Sequence, residues 1–258
     1  MELEARDLTC GYGRRRIVED FDYSFEPGKL YIILGKNGSG KSTLLDTLGG
    51  WLPPIDGSVQ FDDMNLSHLK PSARAACTGR IAAGLEKLDL RVDRFVLLGA
   101  YSRKKGPYTG QDEALRDQAM EQMGIAHLAD RRMDEISAGE RQKAAIAQIL
   151  VQNPVCLFLD EPGSNLDPEA RFELMDLLVS LRAENRILIA VLHDLDLALR
   201  YGDELLVLAD HHLYFHGTPE ELIDQEILDD VFTIIARDYD PDTRTARFFR
   251  KNGQRIGK

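Results

Sequence analysis

Apolar residues recur at every second position from Glu2 to Leu8 and again from Ile17 to Phe25, as expected of strands with one face in water. Between them, Cys10-Gly11-Tyr12-Gly13 reads as a turn. The run Leu30-Tyr31-Ile32-Ile33-Leu34 is apolar throughout and predicts a short buried strand, followed by a helix over Thr43 to Leu48 stopped by Gly49-Gly50. Trp51-Leu52-Pro53-Pro54 forces a loop, and Asp56-Gly57 turns the chain into a strand from Ser58 to Phe61. Asp62-Asp63 is a further turn, and Arg80 to Ala83 reads as another short strand ending at Gly84-Leu85-Glu86. From Lys87 to Gln152 the strand signal vanishes, and Ala114, Leu115, Ala119, Met120 and Met123 predict one helical stripe.

Beyond this helical stretch the buried-strand signal returns. Val155 to Leu159 and Ile187 to Leu192 are purely apolar, the pattern of central strands in a parallel sheet covered on both faces. Asp167-Pro168-Glu169 opens a helix, with a capping acid, proline at the first position, and Leu174, Leu177, Leu178 and Leu181 along one face. Glu204 to Ala209 and Leu213 to His216 predict a hairpin turned at Asp210-His211, with short helices over Pro219 to Ile223 and Gln225 to Val231. From Arg237 onward no period is visible. The expected architecture is an α/β core with an inserted all-helical segment.

Composition narrows the function classes. The 258 residues are 43% hydrophobic and 29% charged, ordinary values for a globular chain of one or two domains. A formal net charge of −11 argues against nucleic acid as the main partner, because backbone binding needs a basic face. Cys10, Cys77 and Cys156 are scattered without metal spacing and fit a reducing compartment. No leader-like start and no apolar run of eighteen residues is present, so a cytoplasmic location is expected.

The strongest chemical signal is Gly35-Lys36-Asn37-Gly38-Ser39-Gly40-Lys41-Ser42, set between the buried strand and the helix beginning at Thr43. Glycines there let several backbone N–H groups converge on one anion, and the helix N-terminus points its positive end to the same place. Lys41 supplies a full charge to the outer phosphates of a nucleoside triphosphate, and the Ser42 hydroxyl can ligate Mg2+. Asp160-Glu161, ending a buried strand, is the second signal: one acid can hold magnesium through water, the other can deprotonate attacking water. Ser137 with Glu140 three residues on forms a capping box, and that helix N-terminus can also bind phosphate. Tyr12 reads equally as an exposed turn aromatic or as a platform for a planar base. His211, His212 and His216 on the hairpin read as solvated polar residues rather than a metal site.

With these residues in hand, the chain resembles the ATP-binding-cassette (ABC) ATPases from Met1 to about Phe232. Gly35 to Ser42 is similar to the Walker A loop, and Leu157 to Glu161 to Walker B with its catalytic glutamate. Ser137-Ala138-Gly139-Glu140 is similar to the signature, Ser164 to Asp167 to the D-loop, and His193 to the switch histidine. Tyr12 falls where the family has its adenine-stacking aromatic. The phrases Leu98 to Tyr101, Val191 to Ala198 and Gly217 to Glu221 look like those of metal-chelate importers, which take up iron-siderophores, haem or cobalamin. The resemblance implies a P-loop NTPase core with an antiparallel β subdomain and an inserted all-helical subdomain. It sets the core at 1–86 and 153–235, the helical subdomain at 87–152 and a C-terminal tail at 236–258.

It also implies roles. ATP would be held by Tyr12 and by Gly35, Lys36, Asn37, Gly38, Ser39, Gly40, Lys41, Ser42 and Thr43, and Mg2+ by Ser42, Glu86 and Asp160. Glu161 would activate water, and His193 would contact the γ-phosphate. In a head-to-tail dimer, Ser137, Ala138, Gly139 and Glu140 would meet the partner's ATP, with Asp167 in the D-loop. Partners would be a second copy and integral membrane permease subunits, with a solute-binding protein engaged indirectly, at the inner face of the cell membrane. Two residues depart from the family pattern: Glu86 stands where glutamine is usual, and Ala138 where glycine is usual. They motivate an alternative, a clamp or regulatory ABC protein that hydrolyses slowly or not at all.

Overall fold

The structure, a computed structural model, describes residues 1–81, 88–103, 106–164, 166–182 and 185–251. Its centre is a six-stranded sheet. The apolar runs form β3 (Lys29–Gly35), β7 (Cys156–Asp160), β8 (Ile187–Val191) and β9 (Glu204–Ala209). With β6 (Thr78–Arg80) and β10 (His212–Gly217) they lie in the order β10-β9-β3-β8-β7-β6, parallel except for β10. Side chains alternate between faces, so each run feeds two cores at once. Leu30, Ile32 and Leu34 of β3 join Leu157, Leu159, Leu188, Ala190, Leu205 and Val207 in the core beneath the helices. Tyr31 and Ile33 join Cys156, Phe158, Ile187, Ile189, Val191, Leu206 and Leu208 in the second core. Burial on both faces is why no polar residue interrupts these strands.

A four-stranded antiparallel sheet covers the second core. It comprises β1 (Leu3–Tyr12), β2 (Arg15–Phe25), β4 (Asp56–Phe61) and β5 (Met64–Asn65), in the order β2-β1-β4-β5. Its inward residues Leu3, Ala5, Leu8, Val18, Phe21, Phe25 and Val59 pack on α1 (Lys41–Leu48), which contributes Leu44, Leu45 and Leu48. Burying one such side chain fully is worth about 1.5–3 kcal/mol.

The helical region holds α3 (Val92–Leu97), a 3-10 stretch Leu98–Arg103, α4 (Gly110–Gln122) and α5 (Ala138–Gln152). Apart from one isolated bridge between Arg91 and Arg132, its described residues form no strand. α6 (Pro168–Arg182) and α7 (Leu195–Tyr201) pack on the same side of the central sheet as α5. Asp167 accepts from Ala170 N–H at 3.0 Å, the cap expected for α6. The hairpin β9–β10 turns at Asp210-His211, followed by α8 (Pro219–Asp224) and α9 (Ile227–Phe232). No helix among the described residues is long and apolar enough to cross a membrane.

Several expectations are corrected. Cys10 to Tyr12 is strand, not turn: Gly11 pairs with Arg16, and a Cβ on it would lie 2.0 Å from Arg15 O, so this glycine serves close strand approach. The short strand expected over Arg80 to Ala83 starts earlier, at Thr78, where parallel pairing aligns it with Cys156. Pro71–Cys77 forms α2, a helix with no clear apolar period. Ala114 is exposed; only the C-terminal half of α4, with Ala119 and Met120, reaches the core. The stretch after Arg237 belongs to a hairpin, β11 (Ile234–Asp240) with β12 (Thr245–Arg250). Its strands are half-exposed, which leaves little alternation to detect. The magnesium-ligand expectation at Glu86 falls outside the described residues.

A nucleotide site at the strand ends

The central strands end side by side, and parallel register decides which loop residues meet. Asp160 is aligned with Val191, and Ile33 with Val191 on the other flank of β8. The loops after β3, β7 and β8 therefore open at one edge of the sheet, the usual place for a ligand in an open α/β sheet.

After β3, the loop from Gly35 wraps back onto α1. A Cβ on Gly35 would lie 2.5 Å from Ser39 Oγ and 2.7 Å from Leu208 O, so no larger residue fits. Gly38 and Gly40 take φ of 83° and 97°, open to glycine at no steric penalty. Lys41 is buried, and its Nζ donates to Gly35 O at 2.8 Å and Lys36 O at 3.1 Å. Two of its three N–H donors thus hold the loop closed, leaving one for an anion. Burial pushes the Lys41 pKa down, against the nearby carboxylates of Glu161 and Asp160, which raise it. Ser39 Oγ is buried with no hydrogen-bond partner among the described residues. A cradle without room for a Cβ at Gly35, an unpaired buried hydroxyl and a charged amine together fit a polyphosphate.

The second loop supplies oxygen donors. Ser42 Oγ donates to Asp160 Oδ1 at 3.2 Å, bringing together residues 118 apart in sequence. Hydroxyl and carboxylate form a hard-oxygen pair suited to magnesium. Glu161 sits at φ 49°, a left-handed conformation that is strained for a non-glycine residue, with its N–H held by Val191 O at 3.1 Å. This turn aims its carboxylate sideways to the third loop, where Glu161 Oε1 lies 2.5 Å from His193 Nε2.

Arg171 escaped sequence reasoning. From α6 its guanidinium donates to Gly163 O at 3.2 Å, Leu166 O at 3.1 Å and Asp194 Oδ2 at 3.3 Å. It ties the loop before α6 to the loop carrying His193. Its position four residues past the capping Asp167 was the available signal. Asp194 also caps α7 by accepting from Leu197 N–H at 3.2 Å.

The remaining candidates make no bond to these residues among the described contacts. Tyr12 ends β1 and is 56% exposed, free to present a ring face. Thr43 is buried on α1. Ser137 caps α5, accepting from Glu140 N–H at 3.2 Å while its own N–H donates to Glu140 Oε2 at 2.7 Å. That N–H bond, foremost, holds the Glu140 pKa below the usual carboxylate range. Ala138 is exposed at the first turn of α5, and a Cβ on Gly139 would meet only Ala170 and Leu166 at van der Waals distance. His211 and His212 are exposed, as the solvated reading expects, and both also bond to strand β2.

Fold and site together define a P-loop nucleoside-triphosphatase. The sequence pattern of the ABC transporter family matches residues 18–164. The chain is 34% identical over 240 residues to the achromobactin transport ATP-binding protein CbrD of Dickeya dadantii, covering 91% of this chain and 89% of that one. It is also 34% identical over 234 residues to the ferric enterobactin transport ATP-binding protein FepC of Escherichia coli, covering 89% and 86%. Among solved structures it resembles cbiO1 of Clostridium perfringens, part of the transporter complex cbiONQ, with a TM-score of 0.77 and 29% identity over 89% of this chain and 93% of that one. The chain belongs to the ABC transporter family and is an ATPase that binds ATP with magnesium.

Proposed function

We propose that this chain powers a metal-chelate importer, of the iron-siderophore, haem or cobalamin type, by hydrolysing ATP against integral membrane permease subunits. The relatives named for achromobactin and ferric enterobactin transport support the solute class. The observation that carries the chemistry is the meeting of Lys41, Ser42, Asp160, Glu161 and His193 at one sheet edge. In this reading the loop amides and Lys41 hold the β- and γ-phosphates while the exposed Tyr12 stacks on the base. Ser42 and Asp160, with Glu86, would hold magnesium, which would supply positive charge against the phosphates. Glu161 accepts the proton of the water attacking the γ-phosphorus as the bond to the bridging oxygen breaks and ADP leaves. His193, released from Glu161, donates its Nε2–H to the γ-phosphate.

Ser137, Gly139 and their neighbours complete a second copy's site in a head-to-tail dimer. The exposure of Ser137 and Ala138, bonded only within their own cap, supports that arrangement. The chain divides into a nucleotide-binding core (1–86 and 153–235), a helical subdomain (87–152) and a C-terminal segment (236–258). The assembly works at the inner face of the cell membrane, and the permease engages a solute-binding protein on the far side. Ala138 places a methyl group on the exposed face meant for the partner's ATP, which favours slow hydrolysis as the second reading.

Reconstitution with the permease in proteoliposomes tests both. Uptake of a ferric siderophore, haem or cobalamin should require ATP inside and vanish with Lys41→Ala. ATP-independent uptake overturns the importer reading, and wild-type turnover no faster than Glu161→Gln establishes the slow clamp.

A further inference from the structure

The hairpin turn between β9 and β10 is more than a connection. Asp210 and His211 occupy φ of 48° and 69°, the left-handed pair of a two-residue turn, where glycine or asparagine fits far better than an imidazole. A bulky residue in this conformation needs compensation, and three bonds to β2 supply it. Glu19 N–H donates to His211 O at 2.7 Å. His211 Nδ1 lies 2.9 Å from Ile17 O, and His212 Nδ1 lies 3.1 Å from Glu19 O. A carbonyl only accepts, so both rings carry hydrogen on Nδ1 and donate.

The acceptor is unusual. Cys10 pairs with Val18 but Gly11 pairs with Arg16, so Ile17 is the extra residue of a β-bulge, and its carbonyl is the one His211 reaches. Ile17 is also the residue packed on the phosphate loop. A Cβ on Gly40 would lie 2.7 Å from methyl groups of both Ile17 and Val18. One step farther along the ladder, Arg15 pairs with Tyr12. The turn faces the same loop from its other side, across a cleft of about 370 Å³ lined by Lys36, Asn37, Asp210 and His211. His211 therefore grips the bulge that joins the Tyr12 hairpin tip to the phosphate loop.

We propose that His211 is a positioning residue for nucleotide-base recognition: by fixing the Ile17 bulge it sets the distance from Tyr12 to the phosphate loop. The inference rests on the reading of Tyr12 as the base platform. A hairpin tip free to swing away stacks less often on the base, while the phosphate cradle keeps its own closure through Lys41 Nζ on Gly35 O and Lys36 O.

The experiment compares magnesium-dependent binding of ATP and of inorganic tripolyphosphate, which has no base, to the full chain. His211→Gly removes the donor yet suits the left-handed turn, so it keeps the hairpin. His211→Asn keeps both a side-chain N–H and tolerance of that conformation. His211→Gly should weaken ATP about three- to tenfold, the scale of one hydrogen bond, leave tripolyphosphate unchanged, and be restored by His211→Asn. Unchanged ATP affinity, equal loss for both ligands, or no recovery with asparagine each overturns the proposal. Tyr12→Ala separates the two ideas: no effect on ATP removes the base platform and the positioning role of His211 with it. Selective loss of ATP in Tyr12→Ala but not in His211→Gly overturns the positioning role alone.

Discussion

The two ends of the nucleotide chemistry are built in opposite ways. At the strand ends, Ser42 bonds Asp160 and Glu161 meets His193 across elements far apart in sequence, while Lys41 holds its own loop closed. At the start of α5, the Ser137 and Glu140 side chains bond within their own cap, and Ser137 is exposed. The first region gathers its side chains within one chain and places Glu161 in a strained left-handed conformation. The second is a finished helix cap with an exposed surface. The contrast teaches that the proposed ATP cradle is assembled by the fold of one chain, whereas the proposed signature is a local cap that needs something brought to it.

Glu161→Gln probes the first region most severely. It keeps the shape and loses the base, so turnover should fall about 10²–10⁴-fold while ATP still binds and, by light scattering, dimers accumulate with ATP and magnesium. Undiminished turnover would place the base elsewhere, and a persistent monomer would remove the shared site. Ser137→Ala probes the open region. Loss of the cap should lower stability by about 1 kcal/mol, a shift of about 2–4 °C in melting temperature. Single-chain ATP affinity should stay at the wild-type value while turnover drops. Weakened binding in the monomer would show that the signature already touches the chain's own nucleotide.

Acid titration sharpens the same contrast with the smallest effect. The Glu140 pKa is lowered in the folded chain, chiefly by the Ser137 N–H. Its contribution is therefore fully present above the unfolded carboxylate value of about 4.3 and is lost as pH falls through the lower folded value. Wild type should exceed Glu140→Gln in stability by less than about 1 kcal/mol at neutral pH, the gap closing in acid. A gap that widens toward low pH would mean the carboxylate is not engaged in the cap.

Legibility followed the range of the physics. The Gly35–Ser42 turn, the Ser137–Glu140 box and the Asp167 cap were readable because glycine torsions and capping bonds act within a few residues. Central strands were readable because burial on both faces leaves no choice but apolar residues. The β11–β12 hairpin and α2 were not, since half-exposed strands and a helix burying only Cys77 impose no period.

Chain order and local pattern alone were enough to establish a phosphate-binding turn, an acidic strand end and a capped helix, because each is specified by neighbours. Which of those loops share a site required the folded sheet. Parallel register sets Asp160 beside Val191, and so Glu161 within reach of His193, 32 residues later. The same is true of His211, whose ring finds the Ile17 carbonyl across 194 residues. Pairing register is a property of two strands at once, and no window along one of them contains it.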